Sequence, residues 1–85
     1  GGDEFLVVLR SADPPGAISL CERWRASIPG PATLSIGLAV YHAGEETIEE
    51  TIRRADAALY DAKRKGRDRV VVADADADAV LRASA

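Results

Sequence analysis

The chain has 85 residues, 47% of them hydrophobic, and a formal net charge of -3 at pH 7, which fits one small domain with a narrow margin of stability. The acidic balance argues against nucleic acid as a partner, because nucleic-acid-binding proteins usually present a basic face. The single cysteine, Cys21, excludes an internal disulfide, and no apolar run approaches the ~18 residues that cross a membrane, so we expect a cytoplasmic segment without membrane contact.

The first half of the chain predicts a strand followed by a helix. Phe5–Leu9 is a continuous apolar run with β-branched residues, which indicates a strand buried on both faces. Asp13 then supplies a helix cap, followed by prolines in the first turn. The apolar positions of the helix recur at three- and four-residue spacing and comprise Ile18, Leu20, Cys21, Trp24 and Ile28. We interpret Cys21 and Trp24 as core residues, and Cys21 not as a nucleophile.

The second half predicts a strand, a longer helix and a short last strand. From Thr33 to Tyr41, large apolar side chains alternate with small residues, so that another element can approach the second face closely. A capping box of Thr47 and Glu50 begins the helix, and Gly66 follows its end. Its predicted buried stripe is Ile48, Ile52, Ala55, Leu59 and Ala62. Arg69–Val72 is typical of a strand.

This order of elements predicts an α/β fold with a small sheet. We expect residues 1–72 to form the folded part. Residues 73–85, in which aspartate alternates with alanine, are expected to form a flexible acidic, alanine-rich tail.

The opening stretch GGDEF carries the first candidate chemistry. Gly1 and Gly2 leave bare backbone against which a ligand can lie. Asp3 and Glu4 supply hard carboxylate oxygens, which Mg²⁺ prefers together with phosphate oxygens. A polar β-turn before a strand is the alternative, because glycine and aspartate are ordinary turn residues.

The second candidate is the basic stretch KRKGR at residues 63–67. A lysine point charge at Lys63 and the planar fork of Arg67 would suit a clamp for phosphate groups. Cations at a helix carboxyl terminus also complement the helix dipole on a solvated face, which is the alternative. An acidic metal site and a basic clamp together would suit a triphosphate.

Three blocks of sequence resemble the GGDEF family of diguanylate cyclases. They are GGDEF at residues 1–5, TLSIGLA at 33–39, and RADAALYDAK at 54–63 with its continuation GRDRV at 66–70. The resemblance implies a partial nucleotidyl-cyclase-like (ferredoxin-like) sheet with packed helices, an α/β (α+β) fold that lacks the first strand and helices of the family.

The resemblance also implies an enzyme that joins two GTP molecules into cyclic di-GMP and releases pyrophosphate, with Mg²⁺ or Mn²⁺ as cofactor. Each of two facing domains, in a homodimer of the parent protein, would hold one GTP. The resemblance implies that Asp3 is a metal ligand and that Glu4 acts at the metal or at the attacking hydroxyl. It implies that Gly1 and Gly2 lie against the nucleotide. Lys63 and Arg67 would hold the β- and γ-phosphates.

Family members also carry an upstream strand, with a further metal-binding aspartate, that would lie between Phe5–Leu9 and Thr33–Tyr41. We expect its absence to leave both strands with an unpaired edge and the isolated chain with negligible turnover. Upstream regions could anchor the parent protein to a membrane. Two alternatives stay open: a degenerate domain that binds GTP or cyclic di-GMP without making product, and a dimerisation remnant without a ligand.

Overall fold

The computed structural model of the chain describes residues 2–10 and 14–73. Its elements alternate in the predicted order and are β1 (Gly2–Leu9), α1 (Pro14–Ala26), β2 (Thr33–Val40), α2 (Ile48–Arg64) and β3 (Val70–Val72). The α/β prediction is confirmed, and the arrangement is consistent with a partial nucleotidyl-cyclase-like domain. The predicted helix cap at Asp13 and the predicted tail beyond Ala73 lie outside the described residues.

The three strands form one parallel sheet in the order β1-β2-β3. β1 and β2 pair directly along their whole length, from Gly2 opposite Thr33 to Leu9 opposite Val40. The expectation that these two strands would face each other with unpaired edges is therefore wrong. Direct pairing satisfies backbone N–H and C=O groups that would otherwise lack partners, and this explains why the two strands close on each other.

β2 is the centre of the molecule, and every residue from Leu34 to Val40 is buried. Its even-numbered side chains face α1, where Leu34 and Ile36 pack with Cys21. Its odd-numbered side chains face α2, where Ala39 packs with Ala55. The two helices therefore cover opposite faces of the sheet, and the alternation predicted for this strand is confirmed.

The close approach predicted for the small-residue face of β2 occurs at Gly37. A Cβ atom added there would lie 2.5 Å from the backbone nitrogen of Leu59 and would also meet the carbonyl oxygen of Ala55. Real Cβ contacts are longer than this, so the backbone of α2 rests against the bare backbone of β2.

The prediction that Phe5–Leu9 is buried on both faces is wrong for the first part of this run. Phe5 is 51% exposed and Leu6 is also exposed, whereas Val7, Val8 and Leu9 are partly buried. α1 packs against β2 and β3, and β1 lies at the edge of the sheet. Val7, on the same face of β1 as Phe5, still packs against the Cys21 cluster, so only the beginning of the strand is left uncovered there.

The prediction for α1 holds at Cys21, which is buried, and fails at Trp24, which is 43% exposed, and at Leu20. Cys21 points at the sheet. Around the helix axis, Trp24 is rotated from Cys21 by roughly 60° and Leu20 by about 100°. Trp24 and Leu20 consequently lie on the flank of α1.

The capping box of α2 is confirmed, as is the burial of Ala55, Leu59 and Ala62. The predicted burial of Ile48 and Ile52 is wrong, since both side chains are exposed, and Thr51 and Ala58 are buried instead. The helix turns its small residues toward the sheet because only these permit the close approach at Gly37, and the isoleucines are displaced to its flank.

Candidate functional site

An open cavity of about 580 Å³ lies at the edge of the sheet where β1 and β2 begin. Parallel strands start at the same edge, and the connection from α2 to β3 returns to it. The cavity is lined by Gly2, Pro31, Thr33, Gly66 and Arg67. Two segments that the sequence singled out, the GGDEF stretch and the basic stretch, therefore meet here.

The end of α2 brings Arg67 to this edge through a Schellman motif. The Arg67 N–H donates to the carbonyl oxygen of Ala62 at 2.8 Å, and the Gly66 N–H donates to that of Lys63 at 3.4 Å. Gly66 has a φ of 115°, which glycine adopts without a steric penalty. The predicted role of Gly66 at the end of the helix is confirmed.

Glu4 meets the two cations predicted to hold phosphate. Its carboxylate accepts from Lys63 Nζ at 3.3 Å and from Arg67 Nη1 at 3.1 Å. Hydrogen bonds from Arg67 and then from Lys63 hold the pKa of Glu4 below its usual value. The three side chains come from the first strand and from the end of α2, so the tertiary fold creates this cluster of opposite charges.

Gly2 is packed closely against β2. A Cβ atom there would lie 2.6 Å from Thr33 Oγ1, so a side chain could be accommodated only if Thr33 shifted. Its backbone lines the cavity. Gly1, the other glycine predicted to lie against a nucleotide, falls outside the described residues.

The two adjacent carboxylates lie on opposite faces of the sheet. Gly2 to Glu4 belong to β1, so the β-turn interpretation of the motif is wrong, and successive side chains of a strand alternate between faces. Glu4 is on the α2 face with Lys63 and Arg67, whereas Asp3 is exposed on the α1 face. The two carboxylates could approach one ion only around the open edge of β1.

No group of three or more potential metal-ligating side chains occurs within residues 2–10 and 14–73. Mg²⁺ commonly takes only one or two protein carboxylates and completes its coordination with water and substrate phosphates. Asp3 and Glu4 do not form an all-protein cage, and a divalent ion between them would need phosphate oxygens and water as further ligands.

The basic stretch divides between its two interpretations. Lys63 and Arg67 both contact Glu4, and Arg67 also lines the cavity. Arg64 instead lies 3.5 Å from Asp61 and places its guanidinium 5.9 Å from the centre of the Tyr60 ring. Arg64 and the exposed Lys65 therefore lie in solvent at the carboxyl end of α2, where cations complement the helix dipole, as the alternative interpretation predicts.

Sequence reasoning missed the residues that hold the Arg67 loop. Asp68 receives a hydrogen bond from Arg25 Nη1 at 3.0 Å, and its own N–H donates to Ser35 Oγ at 3.1 Å. The alternation along β2 predicts a small residue at Ser35 but assigns no role to its hydroxyl. No spacing rule relates these three residues, because they lie on separate elements of the chain.

A second cavity, of about 330 Å³, lies between α2 and β3 and contains none of the residues predicted to act on a ligand. It is lined by Arg54, Ala57, Ala58, Asp61, Val71, Val72 and Ala73. Among the described residues, neither helix has the length and apolar character needed to cross a membrane.

Comparison with known proteins agrees with the resemblance. The family model described as diguanylate cyclase, GGDEF domain, matches residues 1–69. The chain is 41% identical over 80 residues to the diguanylate cyclase DgcM of Escherichia coli K12, a match that covers 86% of this chain and 19% of that protein. It is 34% identical over 82 residues to diguanylate cyclase A of Treponema denticola, covering 85% of this chain and 22% of that protein.

A third relative, the diguanylate cyclase DgcP of Pseudomonas aeruginosa, is 41% identical over 83 residues, which is 86% of this chain and 12% of that protein. The chain thus spans about a fifth or less of the length of these curated relatives. No solved structure matches it significantly.

Proposed function

The chain belongs to the GGDEF family of diguanylate cyclases, and on this premise we propose that it forms part of a catalytic domain that joins two GTP molecules into cyclic di-GMP and pyrophosphate. The observation that carries the proposal is the meeting of Glu4 and Lys63 with Arg67, which itself lines a cavity together with Gly2 and Gly66. Separate segments of the chain supply an acid, two cations and bare backbone, which a nucleotide with a metal ion needs.

Lys63 and Arg67 hold the β- and γ-phosphates in this proposal. The cavity lies at the carboxyl end of α2, where the helix dipole carries partial negative charge and disfavours an anion. Phosphates therefore need the two cations here, unlike sites at a helix amino terminus, where backbone N–H groups suffice. Glu4 neutralises the same cations in the unliganded chain, and an entering phosphate takes over these hydrogen bonds.

Asp3 and Glu4 would hold Mg²⁺ or Mn²⁺, and Glu4 is released for this purpose when phosphate takes its cations. The ion would neutralise the charge that develops on the phosphates during nucleotidyl transfer. Gly1 and Gly2 would let the nucleotide lie against the backbone. The partner in the active state would be a second GGDEF domain, because the 3′-hydroxyl of one GTP must reach the α-phosphate of the other. We place this GTP-dependent activity in the cytoplasm.

Calorimetric titration of the chain with GTP in the presence of Mn²⁺ tests the site. We expect Arg67→Gln and Lys63→Gln each to weaken binding by roughly tenfold, since each removes a charge-assisted hydrogen bond to phosphate. Arg64→Gln is the matched control, because it removes a neighbouring cation that lies away from the cavity. Equal affinities for all four proteins, or no specific binding heat at all, would contradict the proposal.

Turnover separates an enzyme from a binding module. We expect negligible conversion of GTP to cyclic di-GMP by the chain alone, because the further aspartate that the family places upstream is not among its residues. In the full-length protein, Asp3→Ala should abolish product formation. Unchanged signalling output in that variant would instead favour a degenerate domain that only senses GTP or cyclic di-GMP.

A further inference from the structure

The loop that carries Arg67 has an unusual backbone. Gly66, Arg67 and Asp68 follow one another with φ values of 115°, 63° and 48°. Positive φ is ordinary for glycine and tolerated by aspartate, but it is uncommon for a long side chain such as arginine. Strained conformations of this kind persist only where surrounding contacts impose them, and they concentrate at functional sites.

The contacts that impose this conformation come from two other elements. Ser35 lies on β2, is buried, and accepts a hydrogen bond from the Asp68 N–H at 3.1 Å. Arg25, on α1, reaches the Asp68 carboxylate at 3.0 Å. The Arg69 side chain closes the loop by donating from Nε to the Arg67 carbonyl oxygen at 2.9 Å. The C=O and the N–H of the peptide unit between Arg67 and Asp68 are therefore both hydrogen-bonded.

Arg25 is also held by a second ion pair, within α1. Its guanidinium also contacts Glu22 Oε2 at 2.9 Å, one turn earlier on α1, and only about a quarter of its side chain is exposed. A planar guanidinium that binds two carboxylates has little rotational freedom. The position of Asp68, and of the Arg67 main chain that precedes it, is thus linked to the packing of α1 on the sheet.

We propose that Ser35, Asp68 and Arg25 are positioning residues for Arg67 that aim its guanidinium into the cavity at the edge of β1. This inference rests on the proposed function, because it takes Arg67 as a phosphate-binding residue. The three side chains touch no substrate. They act by holding the backbone of Arg67 in a conformation that an unrestrained arginine rarely adopts, so that its side chain reaches Glu4 in the free chain and phosphate in the complex.

A double-mutant cycle on GTP affinity tests the proposal. Asp68→Asn keeps a residue that tolerates positive φ and removes the charge that binds Arg25. We expect this variant to bind GTP with Mn²⁺ about fivefold more weakly than wild type, because a displaced Arg67 loses part of its charge-assisted hydrogen bond. In an Arg67→Gln background, the same substitution should change the affinity by less than about twofold, since positioning acts only through Arg67.

A purely structural role for Asp68 predicts a different outcome, namely an equal loss of affinity in both backgrounds, and that result would overturn the proposal. Arg25→Gln removes the same ion pair from the side of α1 and should change GTP affinity in the same way as Asp68→Asn in each of the two backgrounds. The test therefore still works if one of the two variants unfolds. Arg64→Gln is the matched control, since it removes an ion pair with Asp61 near the end of α2 and leaves the contacts of Asp68 in place.

The cycle also distinguishes failure of the positioning role from failure of the proposed function. If wild type binds GTP and Arg67→Gln weakens binding while Asp68→Asn and Arg25→Gln bind like wild type, the positioning role is overturned and the proposed function stands. If wild type shows no specific binding, both proposals fall together.

Discussion

At the scale of single residues, Gly37 determines how closely α2 can pack on the sheet. The helix backbone occupies the space that a side chain on β2 would need, with Leu59 nitrogen 2.5 Å from the position of an added Cβ. Ser35 and Ala39, two residues before and after Gly37, also have small side chains on this face of β2, so α2 can pack closely along the strand.

We predict that Gly37→Ala destabilises the chain by roughly 1–3 kcal/mol, because the added methyl group forces α2 away from β2. Denaturant unfolding followed by circular dichroism measures this change. Gly30→Asn is the control, since Gly30 has open space around it and a φ of 71°, which asparagine tolerates. A loss at Gly30 as large as that at Gly37 would show that backbone freedom, and not space, explains both glycines.

The adjacent residues Asp3 and Glu4 show how strand geometry separates neighbours in sequence. Glu4 lies among cations, which lower its pKa, whereas Asp3 projects from the other face of β1. The two carboxylates therefore have different surroundings in the free chain, although the sequence places them side by side.

At the scale of elements, α2 begins with a complete capping box. Thr47 Oγ1 accepts from the Glu50 N–H at 3.1 Å, and the Glu50 carboxylate accepts from the Thr47 N–H at 2.9 Å. Two N–H groups at the start of the helix are thereby satisfied, and the direction of the chain entering α2 is set.

We predict that Thr47→Ala lowers the free energy of unfolding by about 1 kcal/mol, whereas Thr47→Ser retains most of the wild-type value because serine keeps the capping oxygen. Chemical denaturation of the three proteins checks this order. A serine variant as unstable as the alanine variant would mean that the threonine methyl group, and not the cap, stabilises the helix.

The loop before α2 is tied to both neighbouring elements through Glu46. Arg54, on α2, donates to Glu46 at 2.6 Å and to the Val40 carbonyl oxygen at 2.7 Å, and the His42 N–H donates to the same carboxylate at 2.9 Å. Hydrogen bonds from Arg54 and then from His42 lower the pKa of Glu46 from 4.5 to about 2.

This shift predicts how stability depends on pH. A carboxylate whose pKa is lower in the folded state stabilises the fold above its unfolded value, here 4.5, and this contribution is lost as the pH falls toward 2. We expect the free energy of unfolding to fall less steeply over this interval in Glu46→Gln than in wild type. Urea unfolding at several pH values measures both slopes, and parallel slopes would contradict the assignment.

At the scale of the whole molecule, stability is concentrated in β2. This strand is paired on both edges and covered on both faces, whereas β1 is paired on one edge only within the described part of the chain. β3 is short, with only three residues. The molecule is therefore organised as one central strand with weaker structure around it.

Native-state hydrogen exchange should reproduce this pattern. We expect the amides of Ile36 and Leu38 to exchange slowest, and those of β1 that point away from β2 to exchange fastest within the sheet. Slow exchange along both sides of β1 would contradict the prediction and would show that a further strand, such as one from a second copy, covers its outer edge.

The candidate site also depends on the whole molecule, because three separate segments of the chain meet there. Parallel pairing brings the start of β1, the start of β2 and the turn after α2 to one edge. Ligand sites of open α/β sheets usually lie at the opposite, carboxyl edge. Within the described residues the amino edge offers no helix amino terminus, so a phosphate bound there would depend on side-chain cations for positive charge.

The sequence by itself determined the order and type of the elements, the cap at Thr47 and the turn at Gly66, because these depend on residues a few positions apart. It also predicted Lys63 and Arg67 as phosphate-binding residues, and that role stays a prediction. Only the tertiary structure decided that β1 pairs with β2, that Phe5 and Trp24 are exposed, and that Asp3 and Glu4 face opposite ways.

The same division applies to the residues that hold Arg67. Ser35, Arg25 and Asp68 lie on β2, on α1 and in the turn after α2, and no local pattern connects them. Periodicity shows which side of an element is apolar, but not which neighbour will cover it. Pairing, exposure and long-range ion pairs depend on how elements pack in three dimensions, and for that reason only the tertiary structure revealed them.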